Sequence, residues 1–403
     1  RAVAAPALSV FLGPSASFTR ADDLSAAAGD WVFFFLAGYA IIVSGGRSPM
    51  KRKLWLVMIL VMLLSCVSGC AADRKKIVYT VYPLGYLLEK IGGDRIETQS
   101  IQSDTLVQRA TAVDNYTEVM KDADLLLYIG QLEPYLQLIL PQIRSQSAAT
   151  IKDLSINNSI YSFRRYTRVM ANGVEQYVES PYYNGTVFDT IDTNDKDLML
   201  WMDPIAMTSM AKEIRDWLCE NVVEESRYFE ENYAQLESDL VQLDAEYQNL
   251  SSTLKNENKV IRFVSMTASF GNWQKTYGIQ VYPVILSKYG VMPSEEQLEI
   301  IKSKIREDNV HYIAYEPNMT EEMAALFDQL SAELGLQRVD LSNLSSLSQQ
   351  QKEENKDYLS IMTENLDVLE GMMEEDPNAM TQSAQTTETT ETTETTETEA
   401  TAE

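Results

Sequence analysis

The chain has 403 residues, of which 45% are hydrophobic and 23% are charged, enough for two globular domains with their own cores. Its formal net charge at neutral pH is −26. A chain this acidic repels the phosphates of nucleic acid, so nucleic acid is excluded as an expected partner.

Residues 1–49 come before a complete export signal. They begin at Arg1 rather than at a methionine, and they include the apolar stretch "WVFFFLAGYAIIV". Because an export signal normally works at the N-terminus of a chain, we interpret residues 1–49 as translated upstream sequence and Met50 as the start.

Residues 50–69 have the pattern of a bacterial lipoprotein signal peptide. A basic segment, Lys51–Lys53, precedes an apolar run from Leu54 to Leu64, and the small residues before Cys70 suit a peptidase. The run is shorter than the ~20 residues that a membrane span requires. We therefore expect Cys70 to be the lipidated first residue of the mature protein. Because Cys66 would be removed, Cys219 has no partner and no disulfide is expected.

Residues 70–223 alternate between strand and helix patterns. The β-branched and aromatic run "KIVYTVYP" is followed by helical "LGYLLEKIGG", and the apolar runs "ADLLLYIG" and "TIKDLS" come later with helical stretches between them. Parallel strands joined by crossover helices give this alternation. We predict a first α/β lobe here, with a variable insert over residues 161–196.

Residues 224–254 contain neither glycine nor proline, and apolar side chains recur in them at steps of three and four residues. The pattern predicts one continuous helix, roughly 45 Å long at 1.5 Å per residue. A single helix that joins two lobes restricts hinge opening more than extended strands would.

Residues 255–375 repeat the alternating pattern, with "VIRFVSM", "IQVYPVI", "NVHYIAYEP" and "LQRVDLS" as strands. The predicted fold class is α/β: two Rossmann-like lobes with central parallel sheets, joined by a single long backbone helix. Residues 376–403 end in a Thr/Glu repeat that has no apolar residue to anchor a core, so we predict a disordered, solvated tail.

Seven segments in chain order resemble the zinc and manganese solute-binding lipoproteins of bacterial ABC importers. They extend from about Lys75 to Met373 and read "VYTVYPLGYLLEKIGGDRI", "ADLLLYIGQLEPYL", "LWMDP", "RYFEENYAQLESDLVQLDAEY", "SFGNWQKTYGI", "PSEEQLEIIKSKIREDNVHYIAYEPNMT" and "DYLSIMTENLDVLEG". The resemblance implies two α/β lobes on one long helix, with a divalent ion held at the lobe interface by side chains that are mostly histidine plus one carboxylate.

The implied ligand positions do not carry the usual residues. The resemblance places the first at Leu106 and the second at Met199 of "DLMLWMDP". The third falls on Thr267, or on Met266 if the correspondence shifts by one residue. Only the fourth, Asp340, keeps a carboxylate.

These substitutions remove the donors that zinc needs. Zinc takes three or four N, S or O donors at roughly 2.0–2.3 Å, and leucine has none. A methionine thioether suits copper(I) better than zinc or manganese. The one histidine, His311, is interpreted as a structural or surface residue. We therefore predict that ordinary zinc or manganese affinity is lost.

A methionine-rich set has two interpretations, a copper site or core packing, and methionines beside apolar helices favour core packing. Its members are Met199, Met202, Met207, Met210 and Met266. The insert 161–196 lies where zinc-binding relatives often carry a histidine-rich loop. It is interpreted either as a solvated loop or as a cover in which Tyr182 and Tyr183 fold over a site for something other than a bare ion.

The function implied by the resemblance is solute binding, with an ABC permease and its ATPase as partners. The protein would be a monomer on the outer face of the bacterial cytoplasmic membrane, anchored through lipid on Cys70. No Ser-His or Cys-His arrangement is visible, so no enzyme activity is expected. The alternative is a surface lipoprotein that uses the same scaffold for protein contact or adhesion.

Overall fold

The computed structural model describes residues 74–376 except 104–105 and 172–173. The interpretations of residues 1–49 and 50–69, of Cys70 and of the tail after Asp376 therefore lie outside the described residues.

The first lobe is built on a four-stranded parallel sheet in the order β2-β1-β5-β6. Its strands are β1 Lys76–Tyr79, β2 Glu97–Ser100, β5 Leu125–Tyr128 and β6 Thr150–Asp153, and the short pair β3 Gln102–Ser103 and β4 Thr111–Ala112 lies beside it. Its helices are α1 Tyr82–Gly92, α2 Tyr116–Lys121 and α3 Pro134–Gln146. The predicted strands are present; β2 and the β3–β4 pair were not predicted.

The second lobe repeats this design with the order β11-β10-β12-β13, again parallel. Its strands are β10 Arg262–Thr267, β11 Gln280–Ile285, β12 Tyr312–Tyr315 and β13 Gln337–Asp340, with the antiparallel pair β9 Lys259–Val260 and β14 Glu374–Glu375. Its helices are α6 Asn272–Tyr277, α7 Glu295–Glu307, α8 Glu321–Leu334, α9 Gln349–Glu353 and α10 Tyr358–Glu370. In both lobes the strand order reverses beside the first strand, and ligands of open α/β sheets bind at the carboxyl ends there.

Helix α4 Pro204–Asn221 ends the first lobe, and the long helix α5 Ser226–Asn256 joins it to the second. The helix predicted for residues 224–254 is thus continuous and begins and ends two residues later, after a short 3-10 turn at Val223–Glu225. Its apolar positions are buried, namely Phe229, Tyr233, Leu236, Leu240, Leu243, Tyr247, Leu250 and Leu254. Asp203 caps α4 by accepting hydrogen bonds from the Ile205 and Ala206 amides.

The described part of the insert contains two paired strands, which differs from the solvated-loop interpretation. The strands β7 Arg165–Ala171 and β8 Val174–Ser180 pair in antiparallel register. Tyr182 and Tyr183 follow and are buried in an apolar cluster that they share with the second lobe. The Tyr183 hydroxyl donates to the Pro283 carbonyl at 2.9 Å, so these rings pack on β11 instead of facing solvent.

Among the described residues, none of the helices combines the length and the apolarity that a membrane crossing requires.

Candidate functional site

The segment "DLMLWMDP", Asp197–Pro204, is built into the apolar core that the two lobes share. Residues Leu198–Met202 are all buried, and Trp201 is fully enclosed. On the first-lobe side, a Cβ placed on Gly130, just after β5, would lie 3.4 Å from Leu198. The segment therefore lies against the carboxyl end of the first sheet.

The second lobe holds the same segment with hydrogen bonds to its backbone. The Asn272 side chain donates through Nδ2 to the Met199 carbonyl at 3.0 Å, and the Trp273 indole donates to the Met202 carbonyl at 2.9 Å. Trp201 is hydrogen-bonded on two sides. Its indole donates to the Asn343 carbonyl at 2.8 Å, and its own carbonyl accepts from the Tyr358 hydroxyl at 2.7 Å.

The predicted ligand positions Leu106 and Met199 are packed side chains. Both are only 5% exposed, but they belong to different apolar clusters. Met199 lies in the large shared core, and Leu106 lies in the second-lobe cluster with Tyr182 and Tyr183. Neither position presents a donor side chain to an open cleft.

Thr267, the third position, ends β10 and is bonded to a carboxylate that the sequence interpretation missed. Its amide donates to Glu316 Oε1 at 2.9 Å, and its hydroxyl bonds to Glu316 Oε2 and to the Ser269 hydroxyl. Asn343 also donates to Glu316 Oε2, at 2.8 Å. Burial raises the pKa of Glu316, and these donors oppose that rise.

Asp340, the fourth position, lies at the exposed end of β13. Its side chain is 71% exposed and forms an ion pair with Arg338 at 2.6 Å. The structure thus separates it from the buried positions, and Glu316 is the carboxylate that contacts Thr267. The metal role of Asp340 stays a prediction that rests on the resemblance alone.

A threonine and a glutamate also follow the corresponding strands of the first lobe. Thr80 follows β1, and Glu133 precedes α3 after β5. Glu133 is fully buried, and burial raises its pKa to about 7. Thr80 and the backbone of Glu133 oppose this rise in pKa, but the Thr80 hydroxyl and both carboxylate oxygens of Glu133 have no hydrogen-bond partner of ordinary geometry among the described residues. Unlike Glu316, Glu133 is therefore a buried acid without a strong donor.

Asp197 is a third buried acid at this interface. Burial raises its pKa to about 7, and the Met199 amide, which donates to it at 3.2 Å, opposes the rise. A Cβ on Gly271 would lie 2.2 Å from Asp197 Oδ2, so only glycine allows α6 to begin this close to the segment.

No group of three His, Cys, Asp or Glu side chains within the described residues is arranged to hold a metal ion. The methionine set is buried in the apolar clusters, as core packing predicts. His311 has a side chain that is 63% exposed and pairs with Glu374 at 2.7 Å, in agreement with its interpretation as a surface residue.

Residues 77–372 match the family described as "ZnuA: Zinc-uptake complex component A periplasmic". The chain belongs to this family. Among curated relatives, the zinc-binding lipoprotein AdcA of Streptococcus pneumoniae (strain ATCC BAA-255 / R6) is 23% identical over 326 residues, which are 79% of this chain and 60% of AdcA. The chain thus spans about 60% of the length of the first curated relatives that it matches.

Solved structures of this family share the fold. The periplasmic zinc-binding protein TroA of Treponema pallidum aligns with a TM-score of 0.58 at 16% identity, covering 74% of this chain and 99% of TroA. The laminin-binding protein Lmb of Streptococcus agalactiae, described as bifunctional with adhesin and metal-transporting activity, aligns with a TM-score of 0.57 at 20% identity, covering 74% of this chain and 99% of Lmb. At 16–20% sequence identity, these alignments show that the fold is shared and show nothing about the ligand.

The residues at the ligand positions that the resemblance implies do not fit zinc. Leu106 has no donor, Met199 has a thioether enclosed in the core, and the Thr267 hydroxyl is already bonded to Glu316 and Ser269. A tetrahedral zinc site needs N, S or O donors that converge on one point.

Proposed function

We propose that this protein is the extracytoplasmic solute-binding component of an ABC importer, anchored by lipid on Cys70, and that its inherited cleft does not take zinc or manganese as cargo. Family membership supports the importer role, because the family is named for a zinc-uptake complex. A permease and an ATPase would be the partners.

The proposed loss of ion binding is supported by the packing of the side chains at the four ligand positions. Leu106 and Met199 are enclosed in separate apolar clusters, and the Thr267 hydroxyl is hydrogen-bonded to Glu316. Asp340 keeps a carboxylate, but it is exposed and paired with Arg338. A single exposed carboxylate binds a divalent ion weakly.

Micromolar zinc or manganese is expected to leave the melting temperature unchanged. A ligand at about 100 times its Kd stabilises a folded protein by about 2.7 kcal/mol, which appears as a rise of a few degrees. Differential scanning fluorimetry with chelator-free protein measures this directly.

The matched control is Asp340→Asn in the same titration, and native mass spectrometry gives the ion count. A rise of several degrees with one ion per chain that disappears in Asp340→Asn would contradict the proposal and place the ion at the inherited site. A rise that survives this substitution would show that other residues bind the ion.

Lipid anchoring through Cys70 has its own test. Cys70→Ala is expected to give uncleaved or secreted protein that lacks the mass of an attached diacylglycerol, because no thiol is then present to be modified. Membrane fractionation and intact-mass measurement check this. Membrane-bound Cys70→Ala protein with an unchanged mass would show that the apolar stretch anchors the chain by itself.

The second candidate is a surface lipoprotein that uses this scaffold for protein contact. The hairpin β7–β8 favours it, because Val174 and Val178 on β8 are more than half exposed. A neighbouring permease gene would favour transport, and an isolated gene would favour contact.

A further inference from the structure

The first-lobe loop that carries Leu106 reaches into the second lobe. Leu106 is buried in the apolar cluster whose members include Val264, Tyr282 and Ile313 of the second sheet. It belongs to the first lobe in sequence but packs with the second. Leu106 is therefore part of an apolar cluster that is made mostly of second-lobe residues.

Arg109, three residues further on, adds a polar contact between the same two lobes. Its Nε and Nη2 donate to the Gly290 carbonyl at 3.0 and 2.6 Å, and its Nη1 lies 3.3 Å from Glu322 Oε2. Gly290 has a φ of +64°, and a Cβ there would lie 3.1 Å from Arg109 Cγ. Glycine therefore permits both the backbone conformation and the close approach.

A second loop, Asp197–Pro204, also joins the two lobes. Met199 and Trp201 are enclosed, and Asn272, Asn343 and Tyr358 of the second half bond to their segment. Leu106 and Arg109 from one loop, together with Met199 and Trp201 from another, thus join the lobes through contacts of the chain itself.

We propose that these side chains take the place of cargo and hold the lobes closed. Two-lobe binding proteins ordinarily close around a solute. In this chain Leu106 supplies apolar contact, Arg109 latches the Gly290 loop, and the closed arrangement is stable when no solute is present. The consequence for an importer rests on the proposed function. A permease that recognises the closed form of this protein would find that form whether or not a solute is bound. The latch itself does not depend on that partner.

Hydrogen exchange of the full chain, read by mass spectrometry, tests the latch. The amides of Arg109, Gly290 and Met202 donate to the carbonyls of Leu106, Ser287 and Met199 at 3.0, 2.9 and 3.1 Å, so they exchange when these regions open. In Arg109→Gln we expect at least tenfold faster exchange in three segments, 106–110, 286–292 and 199–202. The last segment is decisive, because no hydrogen bond or ion pair of Arg109 reaches it in the described structure.

Two further variants complete the design. Glu322→Lys places a second cation near Arg109 on a side chain that is 59% exposed, so the protein should fold while exchange quickens in the same segments. Arg95→Gln is the matched control, since Arg95 pairs with Asp94 and Glu225 and exchange should not change.

Two results would overturn the latch: wild-type amides in 199–202 that exchange as fast as an unstructured chain, or Arg109→Gln effects confined to the substituted loop and residues 286–292. A zinc-dependent rise in melting temperature would contradict the proposed function but leave this comparison of variants intact, so the two failures are distinguishable.

Discussion

Replacing Trp201 by alanine is expected to lower the free energy of unfolding by about 3–5 kcal/mol, the range for removing a large buried aromatic side chain. Trp201 is fully enclosed in the shared core, and its indole donates to the Asn343 carbonyl. The substitution leaves a cavity and removes a bond between the segment and the second lobe. Urea unfolding followed by circular dichroism measures the loss.

Two control variants separate the contributions. Trp201→Phe keeps most of the apolar volume but leaves the buried Asn343 carbonyl without its donor, which costs about 1–3 kcal/mol. Leu138→Ala, at a side chain that is 82% exposed, should change stability by less than about 0.5 kcal/mol. If Trp201→Ala lowers the free energy of unfolding no more than Leu138→Ala does, the packing of this segment does not contribute to stability as proposed.

The fold was predictable because its signals are local. Apolar residues at helical spacing define α5 over 31 residues, and short β-branched runs define the central strands of both sheets. Edge strand β2, with the sequence "ETQS", is polar and half-exposed and gives no such signal. The hairpin β7–β8 had a signal that was not used: Asn-Gly at 172–173 between two strand-like runs favours a two-residue turn.

The site was less predictable because burial of an acid is a tertiary property. Glu133 precedes Pro134 at a helix start, where an acid is usually solvated, and Glu316 follows a strand as many surface acids do. Glu316, for example, is buried with Thr267 of the neighbouring strand and with Asn343, which are distant from it in sequence. The position of each at the carboxyl end of a parallel strand was the available clue.

Conversely, Asp340 was singled out because the resemblance supplied it and it is the one acid among the four positions. Its exposure follows from the end of β13, where the side chain turns to Arg338. A correspondence of sequence segments transfers a position along the chain but does not transfer the direction of a side chain.

Glu133→Gln is expected to alter the pH dependence of stability. Burial raises the pKa of Glu133 from 4.5 to about 7 in the folded protein, whereas the unfolded chain keeps the ordinary value. The folded state therefore binds the proton more tightly, and wild-type stability falls as the pH rises from about 4 to about 7. This rise in pKa corresponds to about 3 kcal/mol at ~1.4 kcal/mol for each tenfold change in proton affinity. Glutamine does not ionise, so the variant lacks this loss.

The measurement is urea unfolding of wild type and variant at pH 4.5 and pH 8. Any constant cost of burying the amide cancels when the two differences are compared, and the variant should gain about 3 kcal/mol relative to wild type between these pH values. Asp197→Asn should gain in the same direction, because burial also raises the pKa of Asp197 to about 7. Glu230→Gln, at an exposed position of α5, should show no such gain. A Glu133→Gln variant whose difference from wild type is the same at both pH values would mean that Glu133 is charged in the folded protein and has a partner that stabilises that charge.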